Sequence, residues 1–233
     1  MRAPAIIFAT PDELSDRARR AGLLAILPTE EKTRLSRLHI QARRDLFLLA
    51  HGVLRESLSI HSHVEPAEWR FHCGPHGRPE ITPSFHLRFS LSHTRGLAAC
   101  AVTVGGDIGI DVEDTSRCWS AGLAQRYFAV KERRDLQALP AADQRFRFFE
   151  YWTLKEAYLK ARGVGLALPL DAFSFSRCTD NRWQIEFDST VDDDARRWRF
   201  ESWRVGGLHQ AALAMASNES PIAPQAADVN VIQ

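Results

Sequence analysis

Helix-forming and strand-forming stretches alternate in blocks along this sequence, and that order constrains the fold more than any other feature. Residues 29–59 are mostly good helix formers with apolar residues at spacings of three and four, which predicts one long amphipathic helix or two. A second helical block covers residues 121–139 and 144–162, and Gly163 and Gly165 end it.

Strand-type runs follow each helical block. After the first block, residues 69–71 predict a short strand, followed by the turn-rich loop CGPHGRPEIT. Three further runs, which we predict to form one small antiparallel sheet, lie at residues 85–92, 97–104 and 108–113. After the second block, strands are predicted at residues 172–176, 183–187, 198–204 and 210–215.

The order of helices, then strands, then both again lacks the strand–helix–strand alternation of parallel sheets. It predicts an α+β fold of two similar half-domains that meet near Gly105. We place the N-terminal half at residues 1–105 and the C-terminal half at 106–216. Residues 217–233, SNESPIAPQAADVNVIQ, lose all periodicity and carry two prolines, so we predict a loosely attached tail.

Charge and composition exclude several classes of function. Thirty Lys and Arg against 29 Asp and Glu give a formal charge of +1. The net charge therefore gives no overall electrostatic attraction to nucleic acid or to a membrane surface. Any bound anion must be held by a local cluster of cations. No apolar run is long enough for a signal peptide or a membrane span, and the four cysteines form no CxxC pair. We therefore expect a soluble cytoplasmic protein with reduced thiols.

Two segments carry acidic residues in a spacing that suits a metal ion. In GIDVED, Asp111 and Glu113 leave the same face of a strand about 7 Å apart, although an exposed sheet edge would read the same way. In YWTLKEAYLK, Trp152, Glu156 and Lys160 share one helical face, and a Glu–Lys pair at this spacing also stabilises helices. Three carboxylates together favour magnesium or manganese over zinc.

A second cluster of metal-type residues leads to a different interpretation. His72, Cys73 and His76 lie close together in the sequence, but a fourth ligand is missing and Gly and Pro surround them. We interpret this segment as a loop rather than as a zinc site.

The two acidic segments together resemble the Sfp class of phosphopantetheinyl transferases: GIDVE is followed some forty residues later by WTLKEAYLKARGVGL. FSLSHT, GRP and LPLDAF resemble further elements of that family. The resemblance implies a pseudodimeric monomer with its active site in the cleft between the half-domains. It also implies transfer of the 4'-phosphopantetheine arm of coenzyme A to a serine of an apo acyl or peptidyl carrier protein, as in holo-[acyl-carrier-protein] synthases, with adenosine 3',5'-bisphosphate released.

The resemblance also assigns the metal ligands and the base. Asp111, Glu113 and Glu156 match the family residues that hold magnesium against the coenzyme A pyrophosphate. Either Glu156, through a water molecule, or Lys160 matches the base that accepts the serine proton. We favour Glu156, because Lys160 as a cation can instead stabilise the phosphoryl charge.

The remaining assignments concern the phosphates of coenzyme A. Ser92 and His93 match family residues of a phosphate-binding turn, and the resemblance puts Arg78 at the adenosine 3'-phosphate, the alternative being an exposed turn arginine. Arg43 or Arg44 takes the basic helix position, since Leu46 occupies the residue that aligns most directly. Lys155 matches a lysine that touches phosphate. Trp152 is interpreted as core packing.

The carrier protein would be an acidic helical partner, so exposed cations near the site are candidate docking contacts: Arg126, Lys131, Arg133 and Arg134. Two other interpretations of the function stay open. One is a different magnesium-dependent phosphoryl or nucleotidyl transferase, outside the P-loop class because no GxxxxGK[ST] occurs. The other is a catalytically silent carrier-binding module. Fatty acid, polyketide and nonribosomal peptide carriers are not distinguished.

Overall fold

The structure is a computed structural model that describes residues 3–74 and 76–216. Its helices are α1 (Arg17–Ile26), α2 (Thr29–Ser36), α3 (Gln41–Ile60), α4 (Ala121–Tyr127), α5 (Val130–Ala138) and α6 (Ala141–Arg162). Its strands are β1 (Ala5–Ala9), β2 (Arg70–Cys73), β3 (Pro79–Thr82), β4 (Leu87–Thr94), β5 (Leu97–Val104), β6 (Ile108–Asp114), β7 (Phe173–Arg177), β8 (Trp183–Phe187), β9 (Trp198–Val205) and β10 (His209–Ala216).

The N-terminal elements build one layer of sheet and one layer of helix. Strands β1, β5 and β4 form an antiparallel sheet in that order, and β2 pairs with β3 as a separate hairpin. The buried face of α3, which includes Leu49 and Leu58, packs on this sheet. Helix α1 crosses α3 where Gly52 leaves room for Leu23.

The C-terminal elements repeat the helix-on-sheet arrangement with a larger sheet. Its strand order is β6-β10-β9-β8-β7, and every neighbouring pair is antiparallel. Helix α6 lies against β6 so closely that a Cβ at Gly109 would collide with the Ala157 carbonyl. A cluster of aromatic side chains on α6 and the inner strands, including Tyr158, Phe173 and Phe200, forms the core. This packing fixes α6 in register with β6.

The two halves meet through a third apolar cluster. It joins β5 residues such as Ala99 and Ala101 to β6 and β10 residues such as Ile110 and Leu213. The predicted α+β class and the arrangement of two half-domains are therefore confirmed. Residues 217–233, predicted as a tail, lie outside the described residues. Within the described part of the chain, no helix has both the length and the apolar character needed to cross a bilayer.

One predicted sheet is wrong. Residues 85–92, 97–104 and 108–113 were expected to form a single small sheet, but β6 pairs with β10, in the other half. Asp111 lies opposite Ala212 and Glu113 opposite Gln210. Gly105 and Gly106, both with positive φ, turn the chain out of the first sheet before β6 begins.

Periodicity left open whether residues 29–59 form one helix or two, and it predicted a single helical stretch for residues 121–139. Residues 29–59 form two helices, because α2 folds back so that Glu31 reaches the guanidinium of Arg55 on α3. Residues 121–139 divide at Ala129, whose amide is capped by Glu132. No Gly or Pro marks the break at Phe128 and Ala129, which explains why periodicity missed the division of residues 121–139.

Candidate active site

Strand β6 and helix α6 place one carboxylate and one ammonium in direct contact. The side chain of Asp111 is buried, and its Oδ1 accepts from Lys160 Nζ at 2.7 Å and from Ser92 Oγ at 2.9 Å. Lys160 Nζ also donates to the Ile110 carbonyl at 3.1 Å. Residues from β4, β6 and α6, in both halves, therefore meet at a single carboxylate.

The second oxygen of that carboxylate has no partner. Asp111 Oδ2 is buried and accepts no hydrogen bond among the described residues. Buried carboxylate oxygens are nearly always satisfied, because an unpaired one costs about 1–3 kcal/mol or more. This oxygen is therefore available to a ligand that supplies positive charge.

Two more carboxylates, those of Glu113 and Glu156, lie close enough to Asp111 for its charge to raise their pKa values. Burial raises the pKa of Glu156, the charges of Asp111 and Glu113 raise it further, and Lys160 opposes the rise. Burial and the charge of Asp111 likewise raise the pKa of Glu113, against the effect of Arg117. A cation bound here would offset the negative charge that raises the pKa values of Glu113 and Glu156.

The side chains fit a divalent metal in chemistry and charge, although they do not form a finished cage. Among residues 3–74 and 76–216, no three His, Cys, Asp or Glu side chains are arranged as metal ligands. Glu113 is turned toward Arg117, which donates to its Oε2 at 2.6 Å. The all-oxygen donor set, the unpaired Asp111 Oδ2 and the raised carboxyl pKa values nevertheless suit a hard cation such as Mg²⁺.

A cavity of about 260 Å³ adjoins this cluster and is bordered by both halves. The lining residues that matter here are Arg78, Phe89, Leu91, Glu156, Lys160 and Gly163. Apolar walls lie on the β4 side, and charged groups lie on the α6 side. The cavity can therefore take a ligand with one apolar part and one anionic part.

Arg78 joins the halves at one end of this cavity. Its guanidinium donates from Nη1 to the Ala161 carbonyl at 2.6 Å and from Nη2 to the Ile108 carbonyl at 3.4 Å. Burial and the neighbouring charge of Arg88 lower its pKa. It caps the C-terminal end of α6, where a cation is favoured. Its predicted contact with a 3'-phosphate stays a prediction.

Ser92 and His93 lie on opposite faces of β4. Ser92 is buried. Its hydroxyl donates to Asp111 Oδ1 and accepts from the amide of Val112. The His93 ring is open to solvent at the cleft, yet the surrounding protein removes enough water to lower its pKa, and the charge of Lys160 adds to this shift. Their predicted phosphate contacts remain predictions, and the geometry favours His93 over Ser92.

The two arginines of the basic helix stand at the start of α3. Arg43 is exposed, and Arg44 donates to the Leu38 carbonyl at 3.4 Å. The cavity described above is lined by neither residue. Their predicted phosphate contact stays a prediction.

The predicted phosphate contact of Lys155 is wrong. Its side chain is 1% exposed, inside the C-terminal core. The ammonium donates to the Leu170 and Phe173 carbonyls, both at 2.7 Å, and lies 2.8 Å from Glu132 Oε2. Three acceptors match its three donors. One residue along a helix is a rotation of about 100°, so Lys155 faces the core while Glu156 faces the cleft.

Replacing Lys155 tests this correction. Lys155→Met is expected to lower the free energy of unfolding by about 3–5 kcal/mol, because Glu132 would be left buried without its counter-charge. Burial raises the pKa of Glu132 and lowers that of Lys155, and each charge opposes the other's shift. Urea unfolding measures the loss, and Lys155→Met/Glu132→Gln should recover part of it. An unchanged stability would contradict the burial of the pair.

Trp152, interpreted as core packing, lies beside Phe148 with ring centroids 5.9 Å apart and meets Tyr127 edge-on. Sequence reasoning missed other groups around the cluster. Arg117 holds Glu113, and the hydroxyls of Ser90 and Thr94 accept from amides of β6. The alternation Ser90, Ser92, Thr94 was the available signal, since all three point to one face of a strand.

The site therefore combines a buried carboxylate with an unpaired oxygen, two neighbouring acids with raised pKa values and the ammonium of Lys160. Residues 107–216 match the family model of the 4'-phosphopantetheinyl transferase superfamily. The 4'-phosphopantetheinyl transferase HetI of Nostoc sp. is 40% identical over 62% of this chain and 63% of its own length. The match therefore spans less than two thirds of that relative. Sfp of Bacillus subtilis, another 4'-phosphopantetheinyl transferase, is 29% identical over 85% of this chain and 86% of its own.

A putative 4'-phosphopantetheinyl transferase of Synechocystis sp. is 30% identical over 89% of this chain and 91% of its own length. The chain therefore belongs to the 4'-phosphopantetheinyl transferase superfamily. Among solved structures, a holo-[acyl-carrier-protein] synthase of Thermotoga maritima superposes with a TM-score of 0.41, 20% identity, and coverage of 48% of this chain and 64% of its own.

Proposed function

We propose that this protein transfers the 4'-phosphopantetheine arm of coenzyme A to a serine of an apo acyl or peptidyl carrier protein, in a reaction that requires Mg²⁺. The observation that carries this proposal is the buried carboxylate of Asp111, which binds Lys160 and keeps one oxygen unpaired, next to a cavity that Glu156 and both halves line. Membership of the superfamily supports the same reaction. The activity is that of a holo-[acyl-carrier-protein] synthase.

Glu156 acts as the general base. It accepts the proton of the serine hydroxyl, directly or through a water molecule, as the serine oxygen bonds to the β-phosphorus of coenzyme A. The bond from that phosphorus to the bridging oxygen breaks, and adenosine 3',5'-bisphosphate leaves with the electron pair. Burial and the charges of Asp111 and Glu113 raise the pKa of Glu156, so its carboxylate binds a proton more readily than an exposed glutamate does.

Asp111, Glu113 and Glu156 would hold Mg²⁺, which supplies positive charge to neutralise the pyrophosphate oxygens. Lys160 acts as a cation. Its ammonium already donates to Asp111 Oδ1 and to the Ile110 carbonyl, which holds it beside the carboxylates of the site. In that form it stabilises charge on the phosphoryl group.

The two halves divide the binding of coenzyme A. We assign the nucleotide and its phosphates to residues 1–105, through Arg78, His93 and the Arg43–Arg44 pair. Metal binding and proton transfer belong to residues 106–216. Because one chain carries both halves of the cleft, a monomer suffices for activity, in the cytoplasm where coenzyme A and carrier proteins meet.

Exposed cations on α4 and α5 offer a docking surface for an acidic carrier protein. Arg126 and Arg134 are exposed, and exposed Leu123 and Val130 add apolar contacts beside them. Two other candidate contacts are engaged within the protein. Lys131 pairs with Glu186, and Arg133 donates to the Gln125 carbonyl. Arg126 and Arg134 therefore contribute most to docking.

Metal binding should appear as stabilisation that depends on pH. Because the pKa values of Glu113 and Glu156 are raised in the folded state, the metal-free fold loses stability as pH rises from the unfolded value, near 4.3, through the folded values. Mg²⁺ at about ten times its Kd should restore about 1.4 kcal/mol at pH 7.5, or about 3–6 °C in Tm, and much less at pH 5.

Thermal melts at matched ionic strength measure this effect, and Asp111→Asn is expected to reduce it. The control is Asp143→Asn on the exposed first turn of α6, which should respond to Mg²⁺ as the unsubstituted protein does. Equal stabilisation by Mg²⁺ at both pH values would contradict the carboxylate site.

The released nucleotide tests the reaction class. The protein is incubated with coenzyme A, Mg²⁺ and an apo acyl carrier protein, and the small molecules are separated by chromatography. We expect adenosine 3',5'-bisphosphate, in an amount equal to the carrier modified, and none when the metal is chelated. Transfer of the nucleotide to the carrier, with phosphopantetheine released, would identify a nucleotidyl transferase instead.

A further inference from the structure

Strand β6 lies at the edge of the five-stranded sheet, and its outer edge is closed by side chains instead of by another strand. The amides of Ile110, Val112 and Asp114 point away from β10. Each donates to a hydroxyl of β4: to Ser90 Oγ at 3.0 Å, to Ser92 Oγ at 3.3 Å and to Thr94 Oγ1 at 3.2 Å. The spacing is two residues on both strands, so the hydroxyls form a regular ladder.

The carbonyls of the same edge are satisfied by cations. Lys160 Nζ donates to the Ile110 carbonyl, and Arg78 Nη2 donates to the Ile108 carbonyl. Hydroxyls of β4 thus accept hydrogen bonds from the amides of β6, and one cation from each half donates to a carbonyl of β6. An unpaired sheet edge normally attracts a further strand. Here it binds the side chains that surround the cavity.

The ladder is shielded from water. Ser90, Ser92 and Thr94 are 7%, 7% and 8% exposed. A buried amide that loses its acceptor costs about 1–3 kcal/mol, because water cannot replace the missing partner. Each hydroxyl therefore resists sliding of β4 along β6. A slip by one residue would break all three bonds together, since the side-chain period of both strands is two.

The register of β4 against β6 fixes the distance across the cleft. Strand β4 carries His93 from the N-terminal half, and β6 carries Asp111 and Glu113 from the C-terminal half. Ser92 Oγ accepts from Val112 and donates to Asp111 Oδ1, so one rung of the ladder touches the carboxylate directly. We propose that Ser90 and Thr94, the outer two rungs, are positioning residues. They hold His93 on one strand and the two acids on the other in the alignment that the reaction requires, here called the reacting register.

This inference rests on the proposed function, because reacting register has meaning only for a reaction at this cleft. Misplacing a reacting group by about 1 Å can cost about 10²-fold in rate. Loss of one outer rung leaves Ser92 and the other rung in place. A smaller effect of about tenfold on kcat is therefore expected, with a change in KM for coenzyme A of no more than about twofold.

Thr94 offers a matched pair of variants for the test. Thr94→Val keeps the volume and removes the acceptor, whereas Thr94→Ser keeps the acceptor. We expect Thr94→Val to lower kcat about tenfold and Thr94→Ser to stay within about twofold of the unsubstituted protein. Amide hydrogen exchange at Asp114 should become faster in Thr94→Val only, and Ser90→Ala should act in the same way on the amide of Ile110.

Thr153→Val controls for the loss of a buried hydroxyl elsewhere. Thr153 bonds to the Phe149 carbonyl within α6, so its replacement should leave kcat and both amides of β6 unchanged. Equal kcat in Thr94→Val and Thr94→Ser, with unsubstituted protein active, would overturn the positioning role. Unchanged exchange at Asp114 in Thr94→Val would also overturn it, whether or not the carrier is modified. Faster exchange at Asp114, combined with no transfer by the unsubstituted protein, would instead show that the hydrogen bond forms and that the proposed function is wrong.

Discussion

Glu156→Gln is expected to lower kcat for transfer to an apo carrier protein by about 10³-fold, within the range of 10²–10⁴ typical of a lost general base. The substitution keeps the shape of the side chain. It removes both the proton acceptor and one of the three carboxylates proposed to hold Mg²⁺. Steady-state kinetics with coenzyme A and Mg²⁺ at saturation measures the loss.

The same variant should be at least as stable as the unsubstituted protein. Burial and the charges of Asp111 and Glu113 raise the pKa of Glu156, which means that its ionised form destabilises the metal-free fold at neutral pH. Glu150→Gln is the matched control on the same helix, since Glu150 pairs with Arg147 and Arg177 instead of facing the cleft. A kcat for Glu156→Gln within threefold of that control would exclude Glu156 as the base.

Lys160→Gln is expected to lower kcat by about 10²-fold, because the cation that faces the phosphoryl group is lost. The pH profile is more informative than the rate. The charge of Lys160 opposes the rise in the pKa values of Glu113 and Glu156, so its removal raises both. The acidic limb of kcat/KM should therefore move to higher pH in this variant.

This shift distinguishes the two candidate bases. If Glu156 is the base, the limb persists in Lys160→Gln and moves upward. If Lys160 itself accepts the proton, the limb that reports its ionisation disappears. Lys160→Arg provides the control, because a guanidinium keeps the charge and cannot serve as a base. Substantial activity in Lys160→Arg, with the limb at its original pH, would support a purely cationic role.

The approach of α6 residues to the carboxylate of Asp111 was predictable from spacing. Asp111 and Glu113 share a strand face, and Glu156 and Lys160 share a helix face, so contact between β6 and α6 had to bring both pairs together. The structure places Lys160 Nζ 2.7 Å from Asp111 Oδ1, whereas Glu113 is turned toward Arg117. Lys155 precedes Glu156 by one residue, a rotation of about 100° around the helix, and it therefore faces away from the cleft.

The sheet to which β6 belongs was not predictable from local pattern. Three strands close in sequence favour a meander, because short connections are common, and the Gly105–Gly106 turn fits that expectation. The true partner, β10, lies about a hundred residues further along. Its small residues, such as Ala212 and Ala214, suit close approach of α6, but no periodic signal in β10 identifies β6 as its neighbour.

Side-chain bridges across the cleft also escaped prediction. Arg78 was singled out as a phosphate ligand, yet its guanidinium links the end of α6 to β6 across more than eighty residues of sequence. A spacing pattern within one segment cannot report such long-range bonds. The pairing of Glu31 with Arg55 is another such bond, and it joins α2 to α3 in a region where periodicity had left one helix or two open.

The mass of an apo carrier protein, measured before and after incubation with this protein, coenzyme A and Mg²⁺, tests the central claim most directly. A gain equal to one phosphopantetheine, located by fragmentation on a single carrier serine and absent with Glu156→Gln, is the predicted result. An unchanged carrier mass, under conditions in which a known phosphopantetheinyl transferase modifies the same carrier, would contradict it.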